Sequence, residues 1–259
     1  YIQGVKRFIK MKKLQILMAT YNGEKFINEQ LESIINQTYT DWDLLIRDDF
    51  SSDRTPDILN HYRNIYPEKI SIIANKNVRL GAVNNFKELI NHSDAEYLMF
   101  SDQDDVWFPD KIEKTLNSML HLERSAGFNK PFLVHTDLSV TDEKLKILAP
   151  SMLRLQKINP EYKTLNRLII QNNVTGCTMM VNRCLGEMLK SLPNDIVMHD
   201  WWTALIASCF GSISFLNEAT ILYRQHTCNE IGVKKYNFNY IYNKFQHKES
   251  IKSGIGRAC

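Results

Sequence analysis

The 259-residue sequence has little glycine or proline and no long apolar run. Its 10 glycines and 7 prolines, beside 44% apolar and 24% charged residues, exclude a fibrous or disordered chain. No segment approaches the roughly 18 uninterrupted apolar residues of a membrane-spanning helix, and no basic and then apolar leader opens the chain. We therefore expect a cytoplasmic globular protein with a packed core.

Cysteines and nucleotide-binding glycine motifs are also sparse. Five cysteines without a CxxC pair indicate neither a disulfide framework nor a zinc site, so we expect free thiols. They are Cys177, Cys184, Cys209, Cys228 and Cys259. The patterns GxGxxG and GxxxxGK[ST] do not occur, which argues against a dehydrogenase and a phosphate-loop NTPase.

Positive charge is concentrated at the two ends of the chain. Residues 1–13 carry five basic and no acidic side chains, residues 234–259 carry six basic and one acidic, and the rest carries −7 within a total of +3. This acidic central region lacks the basic clusters that bind nucleic acid, so we expect no nucleic-acid partner. We interpret residues 1–12 as a basic extension that is partly an expression remnant, with Met11 as a candidate native start.

Residues 233–259 form a basic and aromatic C-terminal appendage in this interpretation. Five lysines are interleaved with tyrosines and phenylalanines. Such a segment fits peripheral contact with the anionic inner face of the plasma membrane. It equally fits a solvated or oligomer-forming helix.

Short apolar runs alternate with amphipathic segments from Leu14 onward. Apolar residues between Phe26 and Ile35 recur at helical spacing, and Thr55-Pro56 begins a second helical segment. This alternation predicts a mostly parallel sheet with helices on both faces and ligands at the carboxyl ends of the strands. The predicted strands, whose centres are about 26 to 29 residues apart, are 14–18, 44–46, 70–74 and 97–100.

The alternation becomes less regular beyond Phe108. The sequence predicts a helix over 110–122 and a mixed region up to about residue 171. Further strands are predicted over 132–135, 178–181 and 213–216.

Polar residues follow three of the first four predicted strands, at 20–24, 47–49 and 101–105. Carboxylates gathered at one sheet edge repel one another unless a cation or hydrogen-bond donors compensate them. Hard oxygen ligands suit Mg²⁺ or Mn²⁺, so we predict a divalent cation here. An isolated DxDD also fits a solvated turn with a helix cap. The carboxylates are Asp48, Asp49, Asp102, Asp104 and Asp105.

Over roughly residues 13–232, the sequence resembles the family 2 glycosyltransferases, whose nucleotide-diphospho-sugar-binding fold is called GT-A. Six segments carry the resemblance, and many members have glycine in place of Phe50. The pattern is most similar to bacterial rhamnosyltransferase-like enzymes that build cell-surface polysaccharides. The segments are ATYNGE at 19–24, DDFSSD at 48–53, SDQDDVW at 101–107, TGCTMM at 175–180, HDWW at 199–202 and YRQH at 223–226.

The resemblance implies an α/β GT-A domain over 13–232, with a mixed, mostly parallel central sheet flanked by helices. The donor half spans about 13–108 and the acceptor half about 109–232. The implied reaction transfers a sugar, with inversion, from dTDP-rhamnose or a UDP-sugar to a hydroxyl of a glycan or lipid-linked acceptor. The implied cofactor is Mn²⁺ or Mg²⁺.

Donor binding is implied for eight residues. Tyr21 would stack on a pyrimidine, Asp49 would accept from its ring N–H, and backbone near Thr20 would close around the base. Asp102 would reach the ribose or a metal-bound water. Arg79 also fits ordinary surface charge. The predicted donor-binding residues are Thr20, Tyr21, Asn22, Glu24, Asp49, Arg79, Gly81 and Asp102.

Metal binding is implied for Asp104, Asp102 and His226, with Asp104 as the direct ligand and His226 near Arg224. The role of Asp105 stays open, and His226 also fits a structural role. The metal would neutralise charge on the departing nucleoside diphosphate.

The resemblance implies that Asp200 is the catalytic base. The flanking tryptophans would raise its pKa from about 3.9 by desolvation. Asp200 also fits a cap of a helix over 201–208, and His199 would support it. The predicted acceptor-side residues are Gly176, Cys177, Trp201 and Trp202.

Two other functions compete with this one. A sugar nucleotidyltransferase shares the α/β plan and metal use, but it has a longer glycine-rich first loop where this chain has only Gly23. A non-catalytic nucleotide-sugar-binding partner subunit would keep the fold without turnover. The sequence leaves the donor sugar, the acceptor and the oligomeric state open.

Overall fold

Strands and helices alternate through the first half of the chain, as the apolar spacing predicts. The structure, a computed structural model, describes residues 13–75, 78–127, 129–193 and 195–226. The predicted extension 1–12 and appendage 233–259 lie outside the described residues. The first-half elements are β1 Leu14–Thr20, α1 Ile27–Ile35, β2 Asp43–Asp48, α2 Thr55–Ile65, β3 Ile70–Ile73, α3 Ala82–Asn91 and β4 Tyr97–Ser101.

The second half is less regular and contains elements that the sequence pattern does not resolve. They are β5 Val106–Trp107, α4 Lys111–Ala126, β6 Phe132–Thr141, β7 Ile147–Ala149, α5 Met152–Gln156, α6 Leu165–Leu168, a 3-10 helix at Gly176–Thr178, β8 Met179–Asn182, α7 Arg183–Leu189, α8 His199–Phe210 and β9 Ser212–Arg224. Strands β6 and β9 are much longer than the predicted 132–135 and 213–216.

All nine strands of the described ranges form one sheet. Its order is β3-β2-β1-β4-β8-β6-β9-β5, and β7 pairs with β6. Strands β1 to β4 are mutually parallel, β8 is antiparallel to β4 and β6, and β6 runs parallel to β9. The predicted mixed, mostly parallel sheet flanked by helices is confirmed.

Strand β1 illustrates why the sheet is covered on both faces. Ile16 and Met18 pack into a core with α1, α2 and α4, whereas Leu17 packs into a second core with α3, α7 and α8. Successive side chains of a strand point to opposite faces, so a strand covered on both sides is apolar throughout. The polar residues that follow it are therefore left at the carboxyl edge of the sheet.

Pairing between β6 and β9 brings the end of the described chain to that same edge. The register runs from Phe132 opposite Ser212 to Thr141 opposite Arg224, with irregularities beyond Thr136. Strand β5, which directly follows the acidic segment 101–105, pairs with the same β9. Residues 224–226 consequently meet the acidic segment.

Candidate active site

A cleft of about 630 Å³ lies at the carboxyl edge of β1, β2 and β4. It extends from the loops after these strands to the start of α8. The two halves of the predicted site therefore face a shared cavity. The predicted residues that line it are Thr20, Tyr21, Asp49, Arg79, Gly81, Asp102, Asp104, Gly176, Asp200 and Trp201.

Five predicted site residues lie outside this lining: Asn22, Glu24, Cys177, Trp202 and His226. Asn22 and Glu24 tie the loop after β1 to the loop after β2. The Asn22 side chain accepts from Ser52 N–H, and the Glu24 carboxylate accepts from Arg54 N–H. Trp202 packs against the core between the sheet and α3, α7 and α8.

Tyr21 is held by Gln103, a residue that the sequence analysis did not single out. The Gln103 amide donates to Tyr21 O over 2.9 Å and accepts from Tyr21 N–H over 2.8 Å. Gln103 lies between Asp102 and Asp104, so one segment carries the acids and fixes the Tyr21 backbone. Its place inside a DxD segment was the available signal, but sequence alone does not show where an amide points.

Arg79 lies directly over the ring of Tyr21. Its guanidinium carbon is 3.9 Å from the ring centroid, within the range of a cation–π contact. Both residues line the cleft. The arginine therefore covers one face of the aromatic ring.

Asp49 is buried and organises the loop before α3. Its Oδ1 accepts from Arg47 at 2.9 Å and from Leu80 N–H at 2.7 Å, and its Oδ2 accepts from Gly81 N–H at 2.8 Å. Gly81 has φ +77°, a left-handed conformation that favours glycine. Asp49 and Gly81 thus form one bonded unit at the cleft wall.

Protein donors, rather than a cation, compensate two of the five carboxylates predicted to need one. Asp49 pairs with Arg47, as described above. Asp48 accepts from the hydroxyls of Thr20 and Ser51 and from Ser51 N–H. The predicted need for a cation therefore concerns only the carboxylates of the segment after β4.

The three aspartates after β4 have different surroundings. Asp102 and Asp104 line the cleft, whereas Asp105 is wholly buried. Burial raises the pKa of Asp105 well above its ordinary value, and the charges of Asp104 and Asp102 raise it further. The sequence left the role of Asp105 open. In the structure, Asp105 is buried and does not line the cleft.

Cys177 and Lys111 lie near this buried carboxyl group. One donor atom each from Asp102, Asp105 and Cys177 lies within 4.8 Å of the others. Burial raises the pKa of the Cys177 thiol, and the charges of Asp105 and Asp102 add to the effect. Burial lowers the pKa of Lys111 to about 8, against the opposing effect of Cys177 and Asp105.

His226 meets Asp104 from β9. Its Nε2 is 2.7 Å from Asp104 Oδ2, and its ring also lies against Phe26 at a centroid distance of 4.8 Å. Asp104 and His226 bring a carboxylate oxygen and an imidazole nitrogen together, a donor pair that fits a divalent ion. Asp102 and Asp104 line the cleft, and with His226 beside Asp104 they are the residues predicted to hold a metal.

Arg224 contacts the acidic segment 101–105. Its Nε donates to Asp104 O over 2.9 Å, its backbone N–H donates to Asp105, and its guanidinium pairs with Glu29 at 2.7 Å. The arginine is only 2% exposed. These contacts fix the backbone of Asp104 and the side chain of Asp105.

Asp200 also lines the cleft, in the first turn of α8. Its carboxylate accepts from the backbone of Trp201 and Gly176 and, over 3.3 Å, from the Asn172 amide. Burial raises the pKa of Asp200 to about 6, although these hydrogen bonds act to lower it. The helix begins at His199, after Met198 as its N-cap, so the alternative of Asp200 as the cap is wrong.

His199, which precedes Asp200, is packed in the core. It is 2% exposed and its ring packs between Phe86 and Phe100, with centroids 4.2 and 5.4 Å away. Burial lowers the pKa of His199 to about 3, so the ring is neutral at ordinary pH. Trp201 donates its indole N–H to Leu168 O over 2.6 Å, which anchors the adjoining wall.

A sequence profile described as glycosyl transferase family 2 matches residues 15–183. The chain is 32% identical over 252 residues to the dTDP-rhamnosyl transferase RfbG of Shigella flexneri, which covers 91% of this chain and 82% of that protein. It is 28% identical over 173 residues to the UDP-Glc:alpha-D-GlcNAc-diphosphoundecaprenol beta-1,3-glucosyltransferase WfgD of Escherichia coli, covering 66% of this chain and 61% of that protein.

Solved structures show the same fold at low sequence identity. The mannosyltransferase PcManGT from Pyrobaculum calidifontis, in complex with GDP-Man and Mn²⁺, has a TM-score of 0.62 at 16% identity, covering 96% of this chain and 69% of that chain. S. aureus TarS 1-349, in complex with UDP-GlcNAc, has a TM-score of 0.59 at 19% identity. That match covers 84% of this chain and 60% of the TarS chain.

These similarities agree with the architecture of the sheet. The matched profile spans β1 to β8, and the similar structures are GT-A glycosyltransferases. No helix within the described ranges is long and apolar enough to cross a membrane. The profile match and the 32% identical relative establish that the chain belongs to glycosyltransferase family 2.

Proposed function

We propose that the protein is an inverting, metal-dependent glycosyltransferase that uses dTDP-rhamnose or a UDP-sugar. The acceptor is a hydroxyl of a glycan or lipid-linked acceptor in bacterial cell-surface polysaccharide synthesis. One observation carries the proposal: Asp104 and Asp200, almost a hundred residues apart, line the same cleft. The similarity to a dTDP-rhamnosyl transferase supports rhamnose as the first donor to test.

The loops after β1, β2 and β3 bind the nucleotide in this proposal. Arg79 covers one face of Tyr21, so we expect the pyrimidine on the opposite face of the ring. Asp49 Oδ2 accepts one hydrogen bond, from Gly81, and a carboxylate oxygen has a second lone pair for the N–H of the base. Base recognition then needs little rearrangement of the loop.

Asp102, Asp104 and His226 would hold the divalent ion, beside the diphosphate end of the donor. When bound, the ion supplies neutralisation of the negative charge that develops on the leaving nucleoside diphosphate. His226 orients Asp104 through its 2.7 Å contact, and Arg224 fixes the Asp104 backbone. The protein thereby aligns the acidic side chains before the donor arrives.

Asp200 acts as the general base toward the acceptor. The acceptor oxygen attacks the anomeric carbon, the bond from that carbon to the diphosphate oxygen breaks, and the hydroxyl proton passes to Asp200. A pKa of about 6 makes Asp200 a stronger base than an exposed aspartate and keeps it ionised at pH 7. One displacement at the anomeric carbon inverts its configuration.

The first test is a donor screen. Thermal unfolding is measured with dTDP-rhamnose and common UDP-sugars, with and without Mn²⁺, and donor hydrolysis is measured in parallel. We expect one donor to raise the unfolding temperature only when Mn²⁺ is present and to be slowly hydrolysed. Protection without any turnover, in the presence of acceptors, would instead favour a non-catalytic binding subunit.

A further inference from the structure

An exposed apolar surface adjoins the acceptor end of the cleft. Tyr162, Leu165, Ile169 and Ile170 are 47%, 39%, 49% and 78% exposed, respectively. We call these four residues the 162–170 surface. Exposed apolar side chains grouped within nine residues of the chain are candidates for contact with another protein or a membrane.

Local structure holds this surface outward. Ile169 N–H donates to Leu165 O over 2.9 Å, which puts these two side chains on one side of a helical turn. Leu168, between them, is wholly buried in the core beside α8. The apolar groups therefore remain exposed on a turn that is itself anchored.

Basic residues predominate in the chain segment that carries the surface. Residues 151–171 contain Arg154, Lys157, Lys163 and Arg167 but only one acidic residue, Glu161, which pairs with Lys163 at 2.9 Å. The central part of the chain is acidic overall, so this segment differs from its surroundings. Apolar side chains among lysines and arginines match the boundary between anionic headgroups and acyl chains.

We propose that the 162–170 surface docks on an anionic lipid membrane. The apolar side chains enter the headgroup boundary, and the basic residues contact lipid phosphates. A second copy of the chain fits less well, because a two-fold contact would bring the same net-positive segment of both copies together. The inference goes beyond the proposed function and does not depend on it.

Hydrogen bonds connect this surface to the cleft. Trp201 donates its indole N–H to Leu168 O over 2.6 Å, and Asn172 donates to Asp200 over 3.3 Å. Docking of the 162–170 surface therefore holds the Asp200 end of the cleft close to the membrane. An acceptor presented from the lipid surface would enter at that end.

The test is co-sedimentation of the full chain with vesicles of phosphatidylcholine alone or mixed with phosphatidylglycerol. We expect binding to the mixed vesicles that weakens as salt is added. Replacing Ile169→Asp and Ile170→Asp should reduce that binding about tenfold or more. The matched control replaces Ile147→Asp and Leu148→Asp, another exposed aliphatic pair, and should bind like the wild type.

A second variant tests the charge contribution separately. Arg154→Glu with Arg167→Glu should weaken binding to mixed vesicles and reduce its salt dependence. The appendage 233–259 is present in every variant, so its own contribution stays constant. Circular dichroism and thermal unfolding check that each variant is folded.

Three outcomes would overturn the proposal. In the first, the Ile169→Asp/Ile170→Asp variant binds vesicles as well as the wild type does. In the second, the control variant loses as much binding as this variant. In the third, sedimentation velocity shows that the wild type is a dimer and that this variant is a monomer.

Protection by donor and Mn²⁺ is measured on the same proteins. If donor and Mn²⁺ do not protect the wild type against thermal unfolding, that result counts against the proposed function alone, because vesicle binding needs no donor.

Discussion

The side-chain amide of Gln103 is paired with both backbone groups of Tyr21, at 2.9 and 2.8 Å. Gln103 is flanked by Asp102 and Asp104, which line the cleft. The acidic segment and the aromatic residue proposed to stack on the base are therefore mechanically linked. A substitution that displaces Gln103 should therefore also displace Tyr21.

Gly23 makes this link possible, because a Cβ at that position would lie 2.3 Å from Gln103 Oε1. We expect Gly23→Ala and Gln103→Ala each to raise the dissociation constant of the donor about tenfold, as loss of the two hydrogen bonds implies. The double variant should be no weaker than the single ones. Isothermal titration with donor and Mn²⁺ measures all three, and multiplied effects would disprove the link.

Removal of the proposed base should separate binding from transfer. Asp200→Asn should leave donor affinity within about twofold while lowering kcat by about 10²- to 10⁴-fold, the usual contribution of general-base catalysis. Single-turnover transfer and donor titration measure the two effects. Transfer at the wild-type rate would mean that Asp200 is not the base.

The raised pKa of Asp200 predicts a pH profile. In the proposed mechanism ionised Asp200 accepts the proton, so kcat/KM should fall below pH 6 by about tenfold per pH unit. The same shift means that the native state binds this proton more tightly than the unfolded chain, so the contribution of Asp200 to stability decreases as pH rises from about 4 to 6. An acidic limb near pH 4 would indicate an unshifted carboxylate.

Metal-dependent donor binding should depend on Asp104 more than on His226. Asp104→Ala removes a carboxylate from the cleft and should abolish the effect of Mn²⁺ on donor affinity. His226→Ala removes the side chain that contacts Asp104 Oδ2 and should weaken the effect about tenfold. Titration of Mn²⁺ at fixed donor measures both changes. Asp57→Ala, on α2, is the control and should behave like the wild type.

Local pattern was sufficient to predict the sheet edge where the cleft lies. Apolar spacing gave β1 to β4 in order, because a strand buried on both faces must be apolar throughout. Parallel strands bring their carboxyl ends together, so the polar residues that follow them were good candidates. Ten of the predicted site residues line one cleft, and their roles stay predictions.

Individual carboxylates could not be distinguished in the same way. Asp48 and Asp49 are satisfied by protein donors, Asp105 is buried, and Asp102 and Asp104 face the cleft. All five have the same chemistry and similar positions after strands. Their different burial and hydrogen-bond partners arise from packing and from donors elsewhere in the chain.

The sequence by itself determined where the first four strands lie along the chain, the edge at which their loops gather and the residue types available there, because periodicity and turn chemistry are local. Tertiary structure alone decided that His226 meets Asp104 across 122 residues, and that Arg224 meets Glu29 across 195. Those contacts depend on the register of β6 with β9. The packing of side chains along both strands sets that register, so it is not a local property of the sequence.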